Sequence, residues 1–434
     1  MAKRSPKNLK ISFTSKNVTH FAGLLLLQRF YQKIQLRSLL SRYVFFPQRN
    51  NRFSITEEML ALVFPISLGI GRIEASYLLK QNGVFHYLTG LPAYPNPTTL
   101  RRFLLRMATL ALSRLRKLHD KLLLVMILKP HPPTRIILDL DSTVLILYGK
   151  QEMARIGYNP VKRGRPSYHP LLCFNGVTKD FWHGQLRPGD AHTATGTIEL
   201  LIASFAKLPP SAKSVIIRAD KGFYDHKTIE FLESKKAFFV IVAKLTSPIK
   251  RKLLGLRYQK YSSGIEAAEF MYQPNNWKKE YRFIAIRRPI PEDPTEELTL
   301  FSMGKYSYQI IVTNMQLTPL NTWKFYNGRA SVELIIKELK GDYPLAKIPT
   351  KHFAANEAYF HILLFSYNLI NWFKRLCLPK EFQAMTLNTL RTRLLLIPGE
   401  LVRTDNRPTL KLPVNFLYKE AFEYAIKKIE KLKI

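Results

Sequence analysis

The sequence predicts an α/β protein: a mixed-sheet core that carries a β-strand insertion and is flanked by helical N- and C-terminal regions. Three observations point there. Apolar residues recur at helical spacing through residues 20–130. From residue 135 the pattern changes to β-rich runs that first follow one another and then alternate with amphipathic helices. Residues 246–300 break that alternation with what read as paired antiparallel strands.

Taken in order, region 1–130 opens on the basic arm "MAKRSPKNLK" and continues as helices. "SITEEMLALVF" has Ser54 as N-cap and Glu57 three residues on, a capping box. "YPNPTTLRRFLLRMATLAL" repeats the device, with Pro97 and Thr98 leading into Leu100, Phe103, Leu104 and Met107. The turn "TGLPAYPNP" lies between two short helices, the second bearing Arg101 and Arg102 near its start. That suits a helix-turn-helix-like DNA module, although an ordinary helical bundle fits equally well. Region 131–245 supplies strands in "RIILDLDSTVLIL", "LLCFNGV" and "FWHGQLRPG", and a helix in "TGTIELLIASFAKL". The strand "SVIIRAD", the helix "HKTIEFLESKK" and the strand "AFFVIVAKL" complete it. Region 246–300 holds the strands "EAAEFMYQ" and "EYRFIAIRR" and the loop "PIPEDPTEE". Region 301–375 returns to an apolar strand, "YSYQIIVTNM", and then a helix. Region 376–434 reads as helical and strongly basic at its end.

Composition narrows the function. The chain has 434 residues, 46% of them hydrophobic, enough for two or three packed domains. Lys and Arg number 67 against 31 Asp and Glu, a formal net charge of +36. Such an excess calls for an anionic partner, and nucleic acid is the usual one. The longest apolar run, "LLLVMIL" (122–128), is too short to span a bilayer, and no signal peptide opens the chain. Two cysteines, Cys173 and Cys377, with no CxxC or Cys/His cluster, argue against a disulfide framework and a zinc site and fit a reducing compartment. The expectation is a cytoplasmic, nucleoid-associated protein. No GxGxxG or GxxxxGK[ST] asks for a nucleotide cofactor.

Three carboxylates stand out. In "RIILDLDST" the strand alternation puts Asp139 and Asp141 on one face, opposite Ile136, Leu138 and Leu140. Acids on an apolar strand are costly unless paired or bound to a metal. "VIIRADKGFYD" sets Asp220 just past a strand end, where ligands bind in open α/β sheets. Asp225, immediately before "HKTIEFL", reads instead as a helix cap. "YNGRASVELIIKELK" reads as one helix over 326–340. Its Tyr326, Arg329, Glu333, Lys337 and Lys340 fall within an arc of about 80°, beside a stripe of Val332, Ile335, Ile336 and Leu339. Taken alone, that face is also compatible with an ordinary solvated ion-pair surface. Glu338 lies roughly 140° around the helix from Glu333. Two strand-borne aspartates and a helix-borne glutamate can gather two divalent ions for phosphoryl transfer.

These residues resemble a known family. Tyr326, Arg329, Glu333 and Lys340 match the Y-x2-R-x3-E-x6-K signature of the DDE transposases of bacterial insertion sequences at all four fixed positions. "LDLDST" and "ADKGFYD" look like the segments holding that family's first and second aspartates, and "GYNPVKRGRPSYHPLLCFNG" is similar to one of its subgroups. The resemblance covers roughly 130–375. It implies an RNase H-like core with a β insertion between the second aspartate and the glutamate, the slot of residues 246–300. It also implies catalytic metal ligands at Asp141, Asp220 and Glu333, holding two Mg²⁺ ions for which Mn²⁺ can substitute. Asp141 is preferred to Asp139 because a small hydroxyl residue, Ser142, follows it; Asp139 would then hold a lysine or a metal-bound water. Tyr326, Arg329, Lys337 and Lys340 would contact phosphates and end DNA.

The implied reaction is hydrolysis at the terminal inverted repeats, then joining of the 3′-OH to target DNA in a dimeric synaptic complex. A metal-dependent nuclease or resolvase on the same core is the alternative enzyme. A non-catalytic, domesticated DNA-binding protein is the alternative of another class. Lys162, Arg163 and Arg165 on the turn "VKRGRPSYHP" suggest a phosphate clamp, with a solvated loop as the alternative. Trp277 is a candidate for base stacking or for core packing. Asp190 and His192 in "RPGDAHTATG" read as loop and N-cap rather than as a metal site.

Overall fold

The period change at residue 135 is where the central sheet begins. The computed structural model describes residues 11–48, 52–160, 162–261, 264–290, 301–303 and 305–433. The arm 1–10, residues 291–300 of the acidic loop and Val161 lie outside the described residues. Among the described residues the sheet has ten strands: β1 (Arg135–Ser142), β2 (Leu171–Asn175), β3 (Phe181–Gln185), β4 (Ser214–Ala219), β5 (Phe238–Val242), β6 (Gln259–Lys260), β7 (Glu266–Tyr272), β8 (Tyr281–Pro289), β9 (Phe301–Met303) and β10 (Tyr306–Thr313). Their spatial order is β6-β7-β8-β10-β5-β4-β1-β2-β3, with β9 paired on β10.

β2 runs antiparallel to β1, and β3 antiparallel to β2. β4 lies parallel to β1, and β5 parallel to β4. Helices Thr197–Phe205 and His226–Ser234 make the two crossovers that parallel pairing requires. This five-strand unit is an RNase H-like α/β core. It puts the C-terminal ends of β1 and β4 side by side at the middle of the sheet. The sheet continues through β10, which pairs with β5, and the insertion adds its own strands beyond it, β8 on β10 and β7 on β8, all antiparallel.

Helices cover the sheet and share its core. The capping box forms as the spacing predicts: Ser54 accepts from the Glu57 backbone N–H and Glu57 from that of Ser54. In helix Pro97–Leu110 the expected apolar stripe Leu100, Phe103, Leu104 and Met107 is buried, but the expected cap is absent. Asn96 is the N-cap, makes no side-chain cap bond, and Pro97 occupies the first turn. Helix Phe353–Cys377 is buried on nearly every face, which explains its near-continuous hydrophobicity. Asn368 on this helix bonds both the N–H and the C=O of Phe181. Arg375 binds both oxygens of the fully buried Asp180. These contacts pin the helix to β3, and one hydrophobic cluster runs from Phe21 to Ile429. Among the described residues no helix is long and apolar enough to cross a membrane.

The C-terminal region holds more than the helices expected. Strands Gly399–Thr404 and Arg407–Lys411 form a hairpin that pairs with Val18–Thr19. Its two-residue turn, Asp405–Asn406, has φ of 49° and 60°, the left-handed pair a tight hairpin needs.

Candidate active site

The parallel register of β1 and β4 sets the site. Asp139 lies beside Arg218 and Leu140 beside Ala219, so Asp141 and Asp220 come next, at the two strand ends. The alternation that puts Asp139 and Asp141 on one face does the same for Arg218 and Asp220. Asp220 caps a short 3₁₀ turn, Lys221–Phe223, accepting from the Gly222 N–H at 2.9 Å. Asp225 caps helix His226–Ser234 through the Thr228 N–H, as the sequence suggests.

The signature segment is two helices rather than one: Pro319–Asn327 and Ala330–Gly341. The break has a visible cause. Arg218 Nη1 donates to the Phe325 carbonyl at 2.8 Å and takes up the acceptor that the Arg329 N–H would use in a continuous helix. The Arg329 N–H bonds Tyr326 O instead. Gly328 is needed at the junction because a Cβ there would stand 2.3 Å from Arg218 Nη1. Side-chain insertion into the helical ladder is an established cause of kinking. Arg218 also binds Asp139 with both ends of its guanidinium, at 2.6 and 2.8 Å. Asp139 therefore holds a buried arginine, where a lysine or a metal-bound water was expected.

Beyond the break, the Arg329 side chain turns in toward the strand ends. Its Nη2 lies 3.1 Å from Asp141 Oδ2 and 3.9 Å from Asp220 Oδ2, and its Nη1 3.1 Å from Glu333 Oε1. Side-chain exposure rises outward, from 5% for Arg329 and 10% for Asp141 to 39% for Asp220 and 65% for Glu333. Burial pushes the Asp141 carboxyl up to about 6, against the opposing pull of Arg329. Burial lowers the Arg329 guanidinium, but the surrounding carboxylates more than offset this and hold it charged.

The other signature residues take different positions. Lys340 donates to Val144 O at 3.0 Å; burial lowers it, and the field of Asp141 raises it. Lys337 is exposed. Tyr326 is buried in an apolar cluster with Val240, Ile311 and Trp323, and burial pushes its phenol up to about 12. Glu338 points away from this group and accepts from the Leu387 N–H at 2.8 Å.

The donor chemistry, three carboxylates around a cation, suits a hard divalent ion such as Mg²⁺ or Mn²⁺. The cation actually present is a guanidinium. With it in place, no three acidic, histidine or cysteine side chains among the described residues lie close enough to hold an ion.

The remaining candidates lie elsewhere. Lys162 donates to the Tyr148 hydroxyl at 2.9 Å, and both Lys162 and Arg165 sit over its ring, with Arg163 exposed beside them. Tyr148 was not singled out from sequence; it ends the apolar run "VLIL", and its basic neighbours come from a turn 14 residues further on. Arg101 is tied to Glu74 and to the Pro349 carbonyl, whereas Arg102 is exposed. Trp277 stacks on His226 with ring centroids 5.1 Å apart and packs against Tyr224 and Tyr281. His192 accepts from the Ala194 N–H, and Gly196, rather than Asp190, caps the next helix. Arg218 is the main residue missed. Its signal was legible: R-x-D at the end of one strand facing D-x-D at the end of its neighbour.

No curated protein matches the chain. Among solved structures, a piggyBac transposase synaptic complex with hairpin DNA is similar at 13% identity and a TM-score of 0.46, covering 88% of this chain and 83% of that one. The family model "Transposase DDE domain group 1" matches residues 1–434. The chain belongs to that family of DDE-domain transposases.

Proposed function

We propose that this protein is a DNA transposase that binds the terminal inverted repeats of its own element, hydrolyses the phosphodiester at each end, and joins the freed 3′-OH to target DNA. Family membership supplies the class, a DNA-binding and DNA-processing enzyme family. The observation that carries the finer reading is the convergence of Asp141, Asp220 and Glu333, from two strand ends and a helix, on one buried guanidinium.

In this reading the three acids would hold two Mg²⁺ ions, replaceable by Mn²⁺. When bound, the ions supply activation of the attacking oxygen and stabilisation of the leaving one. The chain's own residues place the DNA. Lys337 and Lys340, on the glutamate's helix, hold backbone phosphates beside the acids. Lys162, Arg163 and Arg165, gathered around Tyr148, clamp the duplex further out, and Arg102 adds a contact from the helical region 1–130. Tyr326 is buried among Val240, Ile311 and Trp323, so water rather than its phenol is the attacking group in this reading. Two copies pair two ends in the synaptic complex, in the cytoplasm at the nucleoid.

The test uses duplexes from either side of the coding sequence. Wild-type protein with Mg²⁺ nicks at an inverted-repeat boundary and transfers a precut end. Asp220→Asn and Glu333→Gln bind the same duplex without cutting it. Appreciable cutting by either variant overturns the assignment of the acids. Nicking without transfer of a precut end would make the protein a metal-dependent nuclease instead.

A further inference from the structure

Three carboxylates at one place in a protein are an electrostatic problem before they are a catalytic site. Fully ionised, Asp141, Asp220 and Glu333 carry three negative charges, one of them buried, and each repels the others. Arg329 is the group that answers this. Its side chain is 5% exposed, and its two terminal nitrogens touch all three acids. Its Nε lies 3.4 Å from the Leu140 carbonyl, which orients the guanidinium between the strand end and the helix. Lys340, on the glutamate's helix, donates to Val144 O, and among the described residues Arg329 is the cation paired with all three acids.

A guanidinium in that position has two consequences. It holds the carboxylates around a common centre, and it uses the lone pairs and the space that a divalent ion would need. Mg²⁺ binds oxygen at about 2.0–2.1 Å, so an ion shared by these acids would draw their oxygens closer than nitrogens at 3.1 and 3.9 Å hold them. The planar fork of an arginine binds phosphate as readily as carboxylate. A DNA phosphate arriving at the exposed side, where Asp220 and Glu333 open to solvent, therefore offers Arg329 a second partner.

We propose that Arg329 is a positioning residue that serves as the resident cation of the site: in the DNA-free protein it holds the three acids together and competes with the divalent ion for them. This rests on reading Asp141, Asp220 and Glu333 as the ion's ligands. It makes ion binding and DNA binding mutually reinforcing, since DNA that draws the guanidinium away frees the carboxylates.

Calorimetric titration of Mn²⁺ into DNA-free protein tests it. Arg329→Gln binds Mn²⁺ about tenfold more tightly than wild type or better, a typical coupling between linked sites. Arg329→Lys, which keeps the charge, stays close to wild type, and adding Asp220→Asn to Arg329→Gln removes the gain. Unchanged or weaker Mn²⁺ binding by Arg329→Gln, with binding still dependent on Asp220, overturns the proposal and leaves the ligand assignment standing. Binding indifferent to Asp220 in every background overturns the ligand assignment itself. Should Arg329→Gln not fold, the wild type carries the test alone. Its affinity for Ca²⁺ then rises about tenfold when a flanking duplex is present, by the same coupling, and an unchanged affinity refutes it.

Discussion

Replacing Asp139 should cost far more stability than its distance from solvent-exposed chemistry suggests, and the loss should be recoverable at a second site. Asp139 is fully buried, and both its oxygens accept from Arg218, itself 4% exposed. Removing one partner of such a pair leaves a buried charge uncompensated, at a cost of about 3–5 kcal/mol. Asn keeps the shape and one acceptor, so Asp139→Asn belongs near the lower end, about 3 kcal/mol. Arg218 keeps its bond to Phe325 O, which holds the charge in place rather than letting it escape to water. Replacing both partners with neutral groups removes the stranded charge, so Asp139→Asn with Arg218→Met should recover more than half the loss. Urea unfolding of the two single variants and the double variant, read at constant m-value, measures this directly. A loss below about 1 kcal/mol for Asp139→Asn, as for a surface ion pair, would refute the reasoning. So would a double variant as unstable as the two single losses added together. In cleavage assays the same substitution should lower the rate without rescue by extra Mg²⁺, because Asp139 spends both oxygens on Arg218.

The other expectations concern the helix junction, the half-buried Glu338 and the buried Glu58. Gly328→Ala should destabilise by more than about 1 kcal/mol, although Ala normally favours a helix, because its Cβ would displace Arg218. Gly341→Ala, at a position with open space around it, should stabilise by about 0.5–1 kcal/mol, and melting curves of the pair decide between them. Glu338→Gln should cleave at a near-normal rate, since Glu338 serves the Leu387 N–H rather than the acids; a dead Glu338 variant would show that the helix register is wrong. Burial raises Glu58 to about 7, against the pull of Arg106, from an ordinary 4.5. The folded protein therefore binds a proton that the unfolded chain has already released, and stability falls as pH rises from about 4.5 to about 7. Glu58→Gln should remove that fall and be the more stable protein at pH values above about 7, as unfolding at matched pH values would show.

What was legible in the sequence was whatever depends on near neighbours along the chain. The Ser54–Glu57 capping box, the shared face of Asp139 and Asp141, and the place of Asp220 past a strand end all follow from spacings of a few residues. What escaped depends on partners far away. The helix over 326–340 is interrupted by a side chain 107 residues before Phe325, and nothing in its own propensities announces that. The insertion reads as a separate β region because strand pairing is non-local. Only the register of β10 on β5 shows that it prolongs the core sheet. The hairpin at 399–411 was signalled by Asp405–Asn406, but Pro408 in its second strand argues against a strand. That strand pairs on one side only, an edge position where proline is tolerated.

The charges along β1 and β4 explain why an arginine belongs at the signature's second position. At one level of the two parallel strands Asp139 faces Arg218, and the pair is neutral. One alternation further on, Asp141 faces Asp220 across the strand ends, and like charges side by side on a sheet are destabilising. The flanking strands bring no positive charge in their paired residues, since β2 sets Phe174 and Leu172 beside Asp139 and Asp141, and β5 sets Val240 and Ile241 beside Arg218 and Ala219. The cation has to arrive from above the sheet. Arg218, by taking the Phe325 carbonyl, breaks the overlying helix one residue before Arg329 and so points that side chain at the unbalanced level. One buried arginine thus neutralises the first aspartate and delivers a second arginine to the other two. The four-residue spacing from Arg329 to Glu333 then brings the glutamate to the same guanidinium within about one helical turn. Conversely, any variant that restores a straight helix through residue 328 should withdraw Arg329 and Glu333 from the aspartates together.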